Sequence, residues 1–163
     1  MNTQSLLEGK NVLIVDDEDD ILDILEDLLP MCNTVRAGNF ETAEELLESR
    51  PFDMAILDIM GVSGYKLLEI CVKKEIVAVM LTAHAVTPAD IHKSFDQGAA
   101  YYIPKQEMAS IEMFLNDVLE AIQKGENTWS RWYDRLSRFG ERVFGEEWAK
   151  NEEDLLNKFT FHI

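Results

Sequence analysis

Short unbroken apolar runs recur along the chain, separated by stretches in which apolar residues return at helical spacing. Asn11-Val-Leu-Ile-Val15, Met54-Ala-Ile-Leu-Asp58 and Val77-Ala-Val-Met-Leu81 lack polar alternation, which predicts strands buried on both faces. Asn33–Ala37 and Tyr101-Tyr102-Ile103 are shorter candidates of the same kind. Between them, Asp19–Leu29 places Ile21, Leu22, Leu25, Leu28 and Leu29 on one helical face, with Pro30 as the stop. Phe40, Ala43, Leu46 and Leu47 mark a second helix, and Leu67, Leu68, Cys71 and Val72 a third. Thr87-Pro88 opens a fourth, with Thr as N-cap and Pro in the first turn; Ile91 and Phe95 form its inner face and Gly98 ends it. Ile111, Phe114, Leu115, Val118, Leu119 and Ile122 line a fifth.

Strand followed by helix, five times over, predicts an α/β fold with a parallel sheet and helices on both faces. The flavodoxin-like strand order 2-1-3-4-5 fits the count and sets strands 1 and 3 side by side at the switch point. The segment 1–125 is therefore read as one domain. From residue 126 the pattern changes: Trp129, Trp132, Tyr133, Leu136, Phe139 and Val143 recur at helical spacing beside a stripe of Arg131, Arg135, Arg138 and Arg142. Gly145 interrupts it, and Trp148, Leu155, Leu156 and Phe159 suggest a further short helix. Residues 126–163 read as a helical extension that serves dimerisation or partner contact, too short to bury a core alone.

Charge narrows the function classes. The formal net charge is −16; residues 1–125 carry 9 Lys+Arg against 23 Asp+Glu, and residues 126–163 carry 6 against 8. So acidic a body opposes binding to nucleic acid or an anionic membrane and suits a divalent cation. No apolar run is long enough to cross a bilayer, and the first ten residues lack the basic-then-apolar pattern of a signal peptide. The expectation is a soluble cytoplasmic protein. Cys32 and Cys71 lie far apart without His or Cys at ligand spacing, and read as reduced, packed thiols.

The chemistry sits at the strand ends. Strand 1 runs into Asp16-Asp17, strand 3 ends on Asp58, strand 4 runs into Thr82, and Lys105 follows strand 5. Converging carboxylates repel unless a positive charge sits among them, and Mg2+, a hard cation that keeps waters and takes phosphate oxygens, answers that need. An ionised Asp can attack phosphorus, and phosphoryl transfer then requires mainly positioning and charge neutralisation. Taken singly, each residue has a plainer reading: Asp17 a cap, Thr82 a capping hydroxyl, Lys105 a surface cation. Their coincidence at four ends of one sheet favours the shared site.

Val12-Leu-Ile-Val-Asp-Asp-Glu18, Ile56-Leu-Asp-Ile-Met60, Met80-Leu-Thr-Ala83 and Gly98-Ala-Ala-Tyr-Tyr-Ile-Pro-Lys105 together resemble the signature blocks of response-regulator receiver domains, over about residues 10–124. The resemblance implies that Asp58 is the phosphoacceptor, charged by a histidine kinase or phosphotransfer protein. It also implies that Asp16, Asp17, Asp58 and the main-chain carbonyl of Met60 hold Mg2+, and that Thr82 and Lys105 bind the phosphoryl group. Tyr102 falls at the position of the family's switch aromatic. Two departures stand out. The loop after Asp58 is about two residues short, lacking the family's Pro, and the family's Lys-Pro is here Lys105-Gln106, whose bond is expected trans. His84, two residues past Thr82, reads as an exposed loop residue with a possible influence on phosphoryl lifetime.

These observations support a phosphorylation switch in a two-component phosphorelay that signals by protein contact to an unknown downstream protein. It is not an enzyme beyond its own phosphoryl transfer and dephosphorylation. The competing reading is a pseudo-receiver, a constitutive interaction module whose chemistry is lost. Phosphatases of the haloacid dehalogenase type need a second Asp where Met60 stands, and a flavodoxin's phosphate loop is incompatible with Asp16-Asp-Glu-Asp-Asp20. For the tail, burial of the aromatic stripe against its own domain or a second copy is favoured, with the arginines solvated or paired to acids. The tryptophans and phenylalanines would otherwise be exposed, so a homodimer through the C-terminal helices is expected.

Overall fold

The computed structural model describes residues 5–83 and 87–144, side chains through Arg142. His84, Trp148, Leu155, Leu156 and Phe159 lie outside the described residues. Strands β1 (Asn11–Val15), β2 (Asn33–Ala37), β3 (Met54–Asp58), β4 (Val77–Thr82) and β5 (Tyr101–Pro104) form one sheet in the order β2-β1-β3-β4-β5, every neighbour pair parallel. Helices α1 (Asp19–Leu28), α2 (Phe40–Ser49), α3 (Gly64–Lys73), α4 (Pro88–Asp96) and α5 (Ile111–Lys124) cover its faces, and α6 (Thr128–Phe144) follows. The expected strands stand where the apolar runs place them, with β4 reaching Thr82 and β5 reaching Pro104. Lys105–Ser110, which carries no periodic signal, forms a 3₁₀ helix.

Local chemistry accounts for the element ends. The side chain of Asn39 accepts from the Thr42 amide at 2.8 Å to start α2, and Thr87 accepts from the Asp90 amide at 3.1 Å, with Pro88 in the first turn of α4. Gly125, at φ 68°, closes α5 in the left-handed conformation that favours glycine. Peptide bonds among the described residues are trans, Lys105–Gln106 included. No helix among the described residues is long and apolar enough to cross a membrane.

The two edges of the sheet differ. β2 is half exposed, whereas all four residues of β5 are buried. Besides α4 and α5, α6 packs against β5, where the Tyr102 carbonyl accepts the Trp132 indole N–H at 2.6 Å. Trp129 and Trp132 are each 1% exposed and join the same apolar core as the sheet, with Leu136 and Phe139 beside them. Burial of each such ring contributes on the order of 2–3 kcal/mol. The tail's aromatic stripe is thus satisfied within its own chain through Phe139. This removes, for the described part of the tail, the exposed patch on which the expected homodimer rested. The arginines follow suit: Arg135 donates to Asp117 at 2.7 Å, and Arg131 pairs with Glu120 and Glu126 at 3.0 Å.

Candidate functional site

Parallel order brings the carboxyl ends of β1, β3, β4 and β5 to one edge, and adjacency of β1 and β3 sets Asp16 beside Asp58. Residues Val15 and Leu57 are in register, so the acids that follow them are neighbours. One carboxylate oxygen each from Asp16, Asp17 and Asp58 lies within 4.8 Å of the others. Asp16 and Asp58 are buried, and Asp17 is exposed. Lys105, the first residue after β5, extends its ammonium to 2.8 Å from Asp16 Oδ2 and 3.7 Å from Asp58 Oδ1. Thr82 is buried at the end of β4. Tyr102, on β5, is fully buried three residues before Lys105. A cleft of about 100 Å3 opens over the acids, lined by Asp17, Glu18, Asp58, Met60, Gly61 and Lys105.

The electrostatics follow from this crowding. Burial, then the charge of Asp16, pushes the Asp58 carboxyl up to about 7 against the pull of Lys105. Asp16 is also raised, burial outweighing its hydrogen bonds from Lys105 and the Glu18 amide. For Lys105 burial acts downward, but the hydrogen bond and charge of Asp16, with Asp58 and Glu18 behind them, carry its pKa above the usual lysine value. One ammonium cannot neutralise three carboxylates. An all-oxygen donor set of this kind, two members buried and one open to the cleft, fits a hard divalent cation.

The loop after Asp58 closes on two glycines. Gly61 has φ 83°, and a Cβ there would lie 2.5 Å from Asp17 Oδ2, so the backbone itself packs on that carboxylate. A Cβ on Gly64 would lie 2.8 Å from Ile59 Cα and would press on the Asp58 carbonyl, which lets α3 begin directly against the end of β3. The structure therefore brings together Asp16, Asp17, Asp58 and Lys105, with Met60 on the cleft wall and Thr82 and Tyr102 on the adjoining strand ends. Sequence reasoning gave no role to Glu18, whose carboxylate is 3.7 Å from the Lys105 ammonium, nor to the packing of the two glycines. Its only signal for the latter was the glycine spacing inside the short loop.

The model of the response regulator receiver domain matches residues 12–114, and this chain belongs to that family. Receiver domains are signalling switches rather than enzymes in their own right. The two-component response regulator ARR10 of Arabidopsis thaliana is 35% identical over 104 residues, which is 60% of this chain and 19% of that protein. The chain thus spans about a fifth of the length of that relative. Among solved structures, a CheY-like receiver domain protein from Methanospirillum hungatei JF-1 is 25% identical with a TM-score of 0.62, over 72% of this chain and 99% of the other. The receiver domain of the Francisella response regulator 1452 shares the fold at 20% identity and a TM-score of 0.63, over 70% and 99%.

Proposed function

We propose that this chain is an Asp-phosphorylated, Mg2+-dependent switch of a two-component phosphorelay, acting in the cytoplasm. The observation that carries this is the cluster of Asp16, Asp17 and Asp58 oxygens within 4.8 Å, with the Lys105 ammonium 3.7 Å from Asp58. A carboxylate oxygen of Asp58 attacks phosphorus of the donor. A P–O bond forms as the P–N bond to a donor histidine breaks, and the proton needed by the leaving imidazole comes from solvent. Lys105 supplies a point charge to one phosphoryl oxygen and Thr82 a hydroxyl to another. Asp16, Asp17, Asp58 and the main-chain carbonyl of Met60 are the groups that would hold the cation. A cation held there would supply a positive charge to offset the charge that develops on the transferring group. Hydrolysis of the acyl phosphate resets the switch.

The donor is a histidine kinase or phosphotransfer protein, and the signal leaves by contact with a downstream protein. Burial of the stripe through Phe139 removes the reason for a homodimer in the unphosphorylated chain, and light scattering on the full chain measures the oligomeric state. The test of the switch is incubation with Mg2+ and acetyl phosphate followed by intact mass. The wild type gains one phosphoryl group, and Asp58→Asn gains none. No mass gain beside a reactive receiver run in parallel overturns the switch and leaves a pseudo-receiver.

A further inference from the structure

Helix α6 is anchored on three elements at once. On α4, Phe95 meets Trp129 and Trp132 edge-on, with ring centroids 4.6 and 5.6 Å apart. On β5, the carbonyl of Tyr102 accepts the Trp132 indole N–H at 2.6 Å. On α5, Asp117 accepts from Arg135 at 2.7 and 3.2 Å. A plain cover for a sheet edge needs only apolar contact. Here the indole bonds a main-chain carbonyl, so the seating of α6 depends on the backbone position of β5, and the tryptophan pair spans β5 and α4 together.

Those two elements also lead into the acid site. Tyr102 stands three residues before Lys105, whose ammonium now rests on Asp16 at 2.8 Å. β4 ends on Thr82, and α4 starts at Pro88 after a short connection. A phosphoryl group on Asp58 that recruited both the Lys105 ammonium and the Thr82 hydroxyl would pull on the end of β5 and on the end of β4 that leads to α4. Close-packed interfaces tolerate such displacement poorly and exchange one packing for another. The linker that would let α6 leave is short and already carries a left-handed glycine, Gly125.

Resting on the phosphorylation reading above, we propose that α6 is an internal ligand of the α4–β5–α5 face that phosphorylation of Asp58 releases. The freed helix exposes Trp129, Trp132, Leu136 and Phe139, with Arg131 and Arg135 beside them. Coupling is reciprocal, so loosening α6 favours the phosphorylated form in turn.

Hydrogen exchange on the full chain, with and without Mg2+ and acetyl phosphate, tests this, intact mass being read on the same samples. When the phosphoryl mass is present, amides of residues 129–140 exchange about tenfold faster, while those of β1 and β3 are unchanged. Trp132→Phe keeps the ring but removes the indole donor; it exchanges faster over the same segment before phosphorylation and reaches a several-fold higher phosphorylated-to-free ratio at equal acetyl phosphate. Full phosphoryl mass with unchanged or slower exchange in residues 129–140 overturns the release of α6 and leaves the switch standing. Absence of the mass overturns the switch itself, and α6 is then a fixed cover. Should Trp132→Phe fail to fold, the wild-type exchange decides alone.

Discussion

Burial of Asp58 beside Asp16 sets the behaviour of the metal-free site at the scale of single residues. Its carboxyl is raised from 3.8 to about 7 in the folded chain, so the folded state holds a proton that the unfolded state gives up. The stabilising contribution is complete below pH ~4 and is lost as pH rises towards ~7. Asp58→Asn removes the penalty, so in EDTA at pH ~8 it is more stable than wild type by on the order of 1–3 kcal/mol. That gap narrows on acidification to pH ~5. Urea midpoints across this range check it, and a gap independent of pH refutes the assignment. The residues of this site differ in how far the sequence exposed them. Asp16, Asp17, Asp58 and Lys105 were legible because each terminates or follows an apolar run. Gly61 and Gly64 were visible only as punctuation, because what a missing Cβ makes room for depends on the partner backbone brought against it.

At the scale of elements, the ionic seam between α5 and α6 is the feature to disturb. Asp117 is 5% exposed, accepts hydrogen bonds from Nε and Nη2 of Arg135 and takes a 3.5 Å hydrogen bond from the Tyr101 hydroxyl. Asp117→Ala leaves Arg135 free to turn to solvent but strands the buried Tyr101 hydroxyl, costing on the order of 1–3 kcal/mol. Denaturant unfolding measures the loss, and an unchanged midpoint shows the seam to be energetically idle. Strands and helices themselves were legible because unbroken apolar runs and helical spacing are local signals. The docking of α6 was not. Periodicity identified the buried face of Trp129, Trp132, Leu136 and Phe139, but the alternatives of its own domain and a second copy present the same pattern. The 3₁₀ helix that begins at Lys105 escaped for a related reason, since Lys105–Ser110 has no apolar period to read.

For the whole molecule, an acidic body of net charge −16 with a carboxylate cluster at one edge predicts a large response to divalent cations. At about a hundred times its dissociation constant, Mg2+ stabilises the folded chain by about 2.7 kcal/mol, provided the unfolded chain does not bind it. Thermal unfolding in Mg2+ and in EDTA measures the difference, and Asp17→Asn shrinks it. Equal midpoints in both buffers exclude a cation site of useful affinity.

The cover that α6 provides has a consequence during synthesis. β5 completes the sheet at Pro104, but the indole that bonds its Tyr102 carbonyl belongs to Trp132, 28 residues further on. At roughly 5–20 residues per second, the ribosome leaves that strand bare for a few seconds in every new copy. An unpaired edge beside Phe95 is then open to neighbouring nascent chains, and the aromatic pair of α6 closes that window when it arrives. A chain interrupted before Thr128 never acquires the Trp129 and Trp132 side of its core, and keeps that window open.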